Sequence, residues 1–424
     1  PWQAANLREI KRMVANATSI PADLVRRFSL ATSRSEQAWR VCRADNDWES
    51  MKPLLEDVVA LSRERAAALA ESRGCSLYNA LLDTYEPNTT TEMVDRVFAE
   101  LKEFLPGFTA EVIGKQSQEE VLALTGDFSI DKQKQLGMTV MASMGFDFDH
   151  GRLDISHHPF CGGVPDDVRI TTRYNTANFV ESLMAVIHET GHAMYEQGLP
   201  VGWRDQPVGD ALSAGTHESQ SLLMEMQACR SREFLEYLTP IAQRVFLGHE
   251  TNDPAWGVEN LYRVYTRVQR SFIRVDADEV TYPLHVIMRY ELERQLIEGE
   301  LNVADIPEAW DAKMREYLDL PTEGNFKDGC LQDVHWPAGL FGYFPTYTLG
   351  AMTAAQLFQS AVAEVSGVHQ EIGRGNFAPL LGWLRENVHS KGKFLPYDSM
   401  MKEATGSSLD AKYFKRHLQA RYAG

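Results

Sequence analysis

His188-Glu189-Thr190-Gly191-His192 places two imidazoles four residues apart, with a glutamate beside the first. On a helix, positions i and i+4 share a face, so both rings can reach one metal ion at about 2.0–2.1 Å while the glutamate is angled toward a water held by that ion. The chemistry this pattern serves is hydrolysis. Zinc lowers the pKa of its water from about 16 toward about 7, and the neighbouring carboxylate takes the proton as the water attacks a carbonyl. With 12 histidines in 424 residues, the pattern arises by chance on the order of 0.02 times per chain of this length. A fortuitous pair of histidines on an amphipathic helix is therefore the weaker explanation. His188 and His192 are the expected metal ligands and Glu189 the expected general base.

A catalytic zinc usually takes three protein ligands, and the extended HExxHxxGxxH pattern would supply the third locally. Here position 195 is Tyr and position 198 is Gly, so the third ligand must come from another segment. Glu218 follows His192 by 26 residues, enough for a helix, a Pro/Gly turn and a second helix to return to the metal. Spacing favours Glu218 and leaves Glu225 and Glu196 open as alternatives.

The elements that must position these groups read mostly at helical period. The motif helix is expected from Thr176, an N-cap type, to the stop at Gly198 and Pro200. Phe179, Leu183, Val186, Ile187 and Met194 give it an apolar side, and Gly191 is an otherwise costly choice in mid-helix. Amphipathic helices are also expected at 51–71, 91–104 and 132–144. Further ones follow at about 218–237, 257–272, 283–299, 304–318, 351–365, 377–388 and 411–422. Between 146 and 174 the pattern changes: 151–156 and 168–174 alternate, punctuated by Gly162, Gly163 and Pro165, and a small antiparallel sheet is expected beside the motif helix. The architecture is mainly α.

Composition sets the outer bounds. The chain is 44% hydrophobic and 24% charged, with no linker, repeat or low-complexity tract, which fits one large fold. Its net charge of -17 repels nucleic-acid phosphates and anionic membrane surfaces, so neither is expected as a partner. Five scattered cysteines without a CxxC pair fit a reducing compartment. No run approaches the roughly 20 apolar residues of a membrane helix, and Pro1-Trp2-Gln3 opens no export signal. A soluble, cytoplasmic protein is expected, from which an upstream segment has been removed or left out, since the chain does not begin with Met.

Five further blocks accompany HETGH: His158-Pro159-Phe160, Asp167-Val168-Arg169-Ile170-Thr171, His217-Glu218-Ser219-Gln220, Ile273-Arg274-Val275-Asp276-Ala277-Asp278, and Gly329-Cys330-Leu331-Gln332-Asp333-Val334-His335-Trp336. In these blocks and their order the sequence resembles the thermostable carboxypeptidase 1 type of metallocarboxypeptidases, typified by carboxypeptidase Taq. The likeness runs from Asn6-Leu7-Arg8 to Tyr413-Phe414, essentially the whole chain. It implies that Glu218 is the third ligand and that the fold is a mostly helical, two-lobed body with a deep groove, similar to neurolysin and angiotensin-converting enzyme. It also implies removal of single residues from peptide C-termini, with zinc as the usual metal, cobalt in some members, and homodimers as the common assembly. Members generally carry several tens of residues before the segment matching Pro1, so residues 1–424 are expected to form a single metallocarboxypeptidase domain lacking its N-terminal family segment.

Such an enzyme must recognise a free C-terminal carboxylate, and a guanidinium offers a planar, bidentate match. Arg169 and Arg274 are the candidates. The bland alternative is a structural ion pair, of Arg274 with Asp276 or Asp278 and of Arg169 with Asp166 or Asp167. A donor is also needed for the oxyanion of the tetrahedral intermediate. His335 ranks first, with Tyr347 and then Tyr343 behind it, although clustered aromatics commonly form core or groove wall. Gln332, Asp333 and Asp278 are candidates for orienting histidines. The competing functions are an endopeptidase or dipeptidyl-type peptidase on the same scaffold, and a non-catalytic peptide-binding protein. The intact Glu189 speaks against the last.

Overall fold

The computed structural model describes residues 1–156 and 159–423, so His158 of the His-Pro-Phe block lies outside the described residues. Among the described residues helices dominate, accompanied by one three-stranded sheet. The chain separates into two compact units of non-contiguous segments: Pro1–Asn6, Gly114–Arg267 and Gly350–Gly424 form the first, and Leu7–Ile113 and Val268–Leu349 the second. No helix among the described residues is long and apolar enough to cross a membrane.

In the second unit, the helix expected at 51–71 runs over Trp48–Arg73. Asp47 caps its start by accepting from the Ser50 amide, and Gly74 ends it with φ of 68°, a left-handed turn that glycine adopts without strain. Met51, Leu55, Val58, Ser62, Ala66 and Leu69, spaced by three and four, form its buried face. The helix Tyr282–Glu298 is buried almost all round and carries Arg289 and Glu293 into the interior, where each must find polar partners.

In the first unit, the HExxH helix spans Val180–Gly198 and starts later than expected from Thr176. Asn175 and Asn178 use their side chains to turn the chain first, Asn175 accepting from the Ala177 amide and Asn178 from the Val180 amide. The single helix expected at 218–237 is three pieces. Ala214–Leu222 is capped by Ser213, a π-helical segment covers Leu223–Ala228, and Ser231 caps a new helix over Arg232–Leu247. Gly191 explains itself here. A Cβ at that position would lie 2.6 Å from the Gln220 carbonyl oxygen and the Ser221 Cα, so the HExxH helix and the next helix meet backbone to backbone.

The sheet lies beside the HExxH helix, as expected, but it is mixed, which corrects the antiparallel expectation. Its strands β1 (Gly151–Ile155), β2 (Phe160–Val164) and β3 (Asp167–Thr172) stand in the order β1-β3-β2. β1 is parallel to β3 and β2 is antiparallel to it. Alternation reveals which residues face the core and carries no information on strand direction. β2 escaped notice because of its two glycines; Gly163 has φ of 99°, and a Cβ there would lie 2.2 Å from the Asp167 carbonyl oxygen. Leu153, Val168 and Ile170 of the sheet pack with Val186 and Ala193 of the helix in a small core of their own.

Candidate active site

His188 and His192 project from the same face of the HExxH helix, and Glu218 from Ala214–Leu222 meets them. The Glu218 Oε2 atom is 3.4 Å from His192 Nε2 and 3.9 Å from His188 Nε2. One donor atom from each of the three residues lies within 4.8 Å of the others. Two donors of a tetrahedral zinc at about 2.05 Å stand about 3.3 Å apart, so this triad needs only a small contraction to hold an ion. Gly350 makes room for it: a Cβ there would lie 2.9 Å from the Glu218 Cβ and Cγ.

Glu225 and Glu196, the alternatives to Glu218, meet other ring nitrogens. Glu225, in the π-helical segment, places Oε2 2.9 Å from His188 Nδ1, while Arg230 donates to its other oxygen at 2.5 Å. Glu196 places Oε1 2.7 Å from Nε2 of His217, and Nδ1 of His217 is 2.6 Å from Nδ1 of His192. The outward nitrogens of both histidines are thus occupied, leaving the two Nε2 atoms facing Glu218. Such outer partners fix the ring orientation of metal-binding histidines.

Glu189, Glu218 and Glu225 bring three carboxylates into one largely buried region, against which Arg230 supplies one fixed positive charge. Burial pushes the His188 imidazole down, but its bond to Glu225 and the charges of Glu218, Glu225 and Glu189 outweigh that and lift it to about 10. Burial, reinforced by His217 and His188 against the pull of Glu218, takes His192 down to about 4. Burial raises the Glu189 carboxyl to about 7, with Glu218 adding to the rise and His188 opposing it. A proton on His188 offsets part of this negative charge; a divalent cation within the triad would offset more. Donor set, spacing and charge all fit a metal ion.

The second unit gathers the other expected residues. Arg274 is buried and ion-paired, with neither of its expected neighbours. Its Nε and Nη2 donate to Asp333 Oδ1 at 3.1 and 2.8 Å, and its Nη1 donates to the Tyr282 hydroxyl at 2.9 Å. Asp278 instead accepts from the Gln269, Val280 and Thr281 amides and so shapes the turn before Tyr282. Arg289, which the sequence reading did not single out, donates to the other oxygen of Asp333 at 2.6 Å. Between two guanidinium groups, and despite burial, the Asp333 carboxyl is held far below the usual carboxylate range. Gln332 accepts from the Arg274 amide at 2.8 Å, orienting the arginine and not a histidine. His335 Nε2 and the Tyr347 hydroxyl are 3.0 Å apart, and the Tyr343 ring centroid is 5.7 Å from His335 and 5.3 Å from Tyr347. Burial and the charge of Arg274 push His335 down to about 3, so its ring is neutral.

Arg169 belongs to the first unit, on β3. Its guanidinium grips Asp167 with two bonds of 2.6 and 2.7 Å, the structural pair that its sequence neighbours offered.

Comparison with known proteins points to one family. The family model for the carboxypeptidase Taq (M32) metallopeptidases matches residues 2–422. The thermostable carboxypeptidase 1 of Thermus thermophilus is 40% identical over 430 residues of alignment, covering 99% of this chain and 83% of that protein. Among solved structures, metallocarboxypeptidase 1 of Trypanosoma cruzi superposes with a TM-score of 0.97 at 44% identity, covering 100% of this chain and 84% of that one. The M32 carboxypeptidase of Deinococcus radiodurans gives a TM-score of 0.93 at 36% identity, covering 99% and 84%. With a family match across nearly its whole length and a candidate metal-ligand triad, the chain belongs to the carboxypeptidase Taq (M32) family of metallopeptidases and is a metallocarboxypeptidase.

Proposed function

We propose that the protein releases single residues from peptide C-termini, with one zinc ion held by His188, His192 and Glu218 and with Glu189 as general base. The observation that carries this reading is the convergence of His188 Nε2, His192 Nε2 and Glu218 Oε2 beside a buried Glu189. When bound, the ion supplies Lewis acidity, which makes water a nucleophile at neutral pH and polarises the scissile carbonyl. Two imidazoles and a carboxylate suit zinc, and cobalt fits the same donors.

Glu189 takes a proton from the attacking water at its carboxylate and passes it to the departing amine nitrogen. Burial raises its carboxyl to about 7 with no ion present; a nearby dication lowers it again, so the base is ionised at neutral pH. Arg274 is the better of the two candidates for the substrate carboxylate. It shares Asp333 with Arg289, leaving one excess positive charge in a buried cluster, whereas the charge of Arg169 is already matched by Asp167. Of His335 and Tyr347, linked at 3.0 Å, one donates to the oxyanion while the other holds it in place, with Tyr343 as a substrate contact. The match across residues 2–422 runs through both units and supports reading 1–424 as one domain. Five free cysteines support a reducing, cytoplasmic setting.

The test is digestion of a long peptide and its C-terminally amidated twin, followed by mass spectrometry, with wild-type protein and Glu189→Gln. The free acid should give a ladder shortened one residue at a time from its C-terminus, and the amide should resist. Glu189→Gln should keep its zinc and lose at least about 10²–10⁴-fold in turnover. Internal fragments, or cleavage of the amide, would favour an endopeptidase. Undiminished turnover in Glu189→Gln would remove it from the base's role.

A further inference from the structure

The two histidine ligands are anchored differently. His188 Nδ1 meets the Glu225 carboxylate directly at 2.9 Å. His192 Nδ1 meets a second imidazole instead, Nδ1 of His217 at 2.6 Å, and the far nitrogen of that ring meets Glu196 Oε1 at 2.7 Å. Two imidazole nitrogens can hydrogen-bond only when one carries a proton and the other a lone pair. In the tautomer whose Nε2–H donates to the Glu196 carboxylate, Nδ1 of His217 is an acceptor. His192 must then carry its own proton on Nδ1. Its Nε2, the atom 3.4 Å from Glu218, is left with a lone pair facing the point where the three ligands converge.

We propose that His217 and Glu196 form a relay that fixes His192 in the one tautomer able to bind a metal, making His217 a positioning residue for the metal centre. The inference rests on the metal-site reading above. Both relay members are tied to ligands through the backbone: Glu196 follows His192 by four residues on the HExxH helix, and His217 immediately precedes Glu218. The buried Tyr195 ring packs edge-on to His217 at 5.3 Å, and its hydroxyl is fixed by the Leu212 amide at 3.1 Å, so the relay has a rigid wall. Loss of such an outer partner typically weakens metal binding by about 10–100-fold.

A relay differs from simple packing in what can replace the imidazole. In His217→Asn, the side-chain oxygen falls near the position of Nδ1 and can accept from His192; in His217→Leu, the space is filled and nothing accepts. Zinc dissociation constants of the full chain, measured by competition with a chromophoric chelator, should be within a few-fold of wild type for His217→Asn and about 10–100-fold weaker for His217→Leu. Thermal midpoints of the two metal-free variants should be alike. If His217→Leu does not fold, Glu196→Ala probes the relay from its partly exposed end and should also weaken zinc binding. Equal dissociation constants for wild type and every folded relay variant would overturn the relay while leaving the metal site intact. A wild-type protein that binds no zinc, or a His192→Ala variant that binds as wild type does, would overturn the metal-site reading itself.

Discussion

Glu293 illustrates how far a single residue can depart from the behaviour its type suggests. Fully buried in Tyr282–Glu298, it accepts from the Tyr78 hydroxyl, the Trp336 indole N–H and the Gly342 amide. Those donors favour the ionised form, but burial outweighs them and raises the carboxyl from 4.5 to about 8. Below pH 4.5 both native and unfolded chains hold the proton; between there and about 8 the native chain alone retains it. Stability is therefore lost as pH rises through this window, at up to about 1.4 kcal/mol per pH unit. Glu293→Gln should remove that slope, so denaturant unfolding across the window should show the variant gaining on wild type as pH rises; a constant difference would contradict this. The sequence conceals this residue because Glu291-Leu292-Glu293-Arg294 reads as a solvated face. His188, Glu189 and His192 stood out as candidates because their spacing is local to one helix. Spacing could not separate Glu218 from Glu225 and Glu196: Glu218 approaches Nε2 of His192, Glu225 meets Nδ1 of His188, and Glu196 meets His217, whose ring in turn meets His192. The partner of Arg274 was hidden for a related reason: Asp333 lies far along the chain, while Asp276 and Asp278 are adjacent and uninvolved in the pair.

Among the elements, the crossing at Gly191 sets how closely the helices bearing the proposed metal ligands approach. Alanine there would gain about 1 kcal/mol of helix propensity. Its Cβ, however, would press into the backbone at Gln220 and Ser221, which cannot swing aside as a side chain could. Overpacking of this kind costs about 1–3 kcal/mol or more, so the steric term wins. Gly191→Ala should lower the thermal midpoint in calorimetry and weaken zinc binding, because moving the helices apart draws Glu218 away from His188 and His192. A raised midpoint would show that propensity dominates and that the crossing is looser than described. Long amphipathic stretches were readable as helices, as at Trp48–Arg73, since a buried stripe repeats over many turns. The π-helical Leu223–Ala228 was not, because the same apolar residues satisfy either winding. Segments of this kind are frequent at functional sites, and this one delivers Glu225 to His188. Strand direction was equally illegible, because alternation fixes the faces of β1 and β3 without fixing how they run.

At the scale of the whole molecule, the sequence conveyed the mainly helical class and the family. It did not convey where the two units divide: the boundaries at 113/114 and 349/350 fall inside the helices Thr91–Gln116 and Pro345–Glu364. A boundary within a helix leaves no shift toward Pro, Gly or Ser that composition could register. The candidate triad His188, His192 and Glu218 lies with Glu189 in the first unit, and Arg274, His335, Tyr343 and Tyr347 belong to the second. The account depends above all on the triad, and anomalous X-ray scattering at the zinc edge from crystals of the zinc-loaded protein tests it most directly. The predicted result is one strong peak about 2.0–2.2 Å from His188 Nε2, His192 Nε2 and a Glu218 carboxylate oxygen. A peak elsewhere with these three side chains unengaged, or no peak in protein shown to be folded and zinc-saturated, would contradict it.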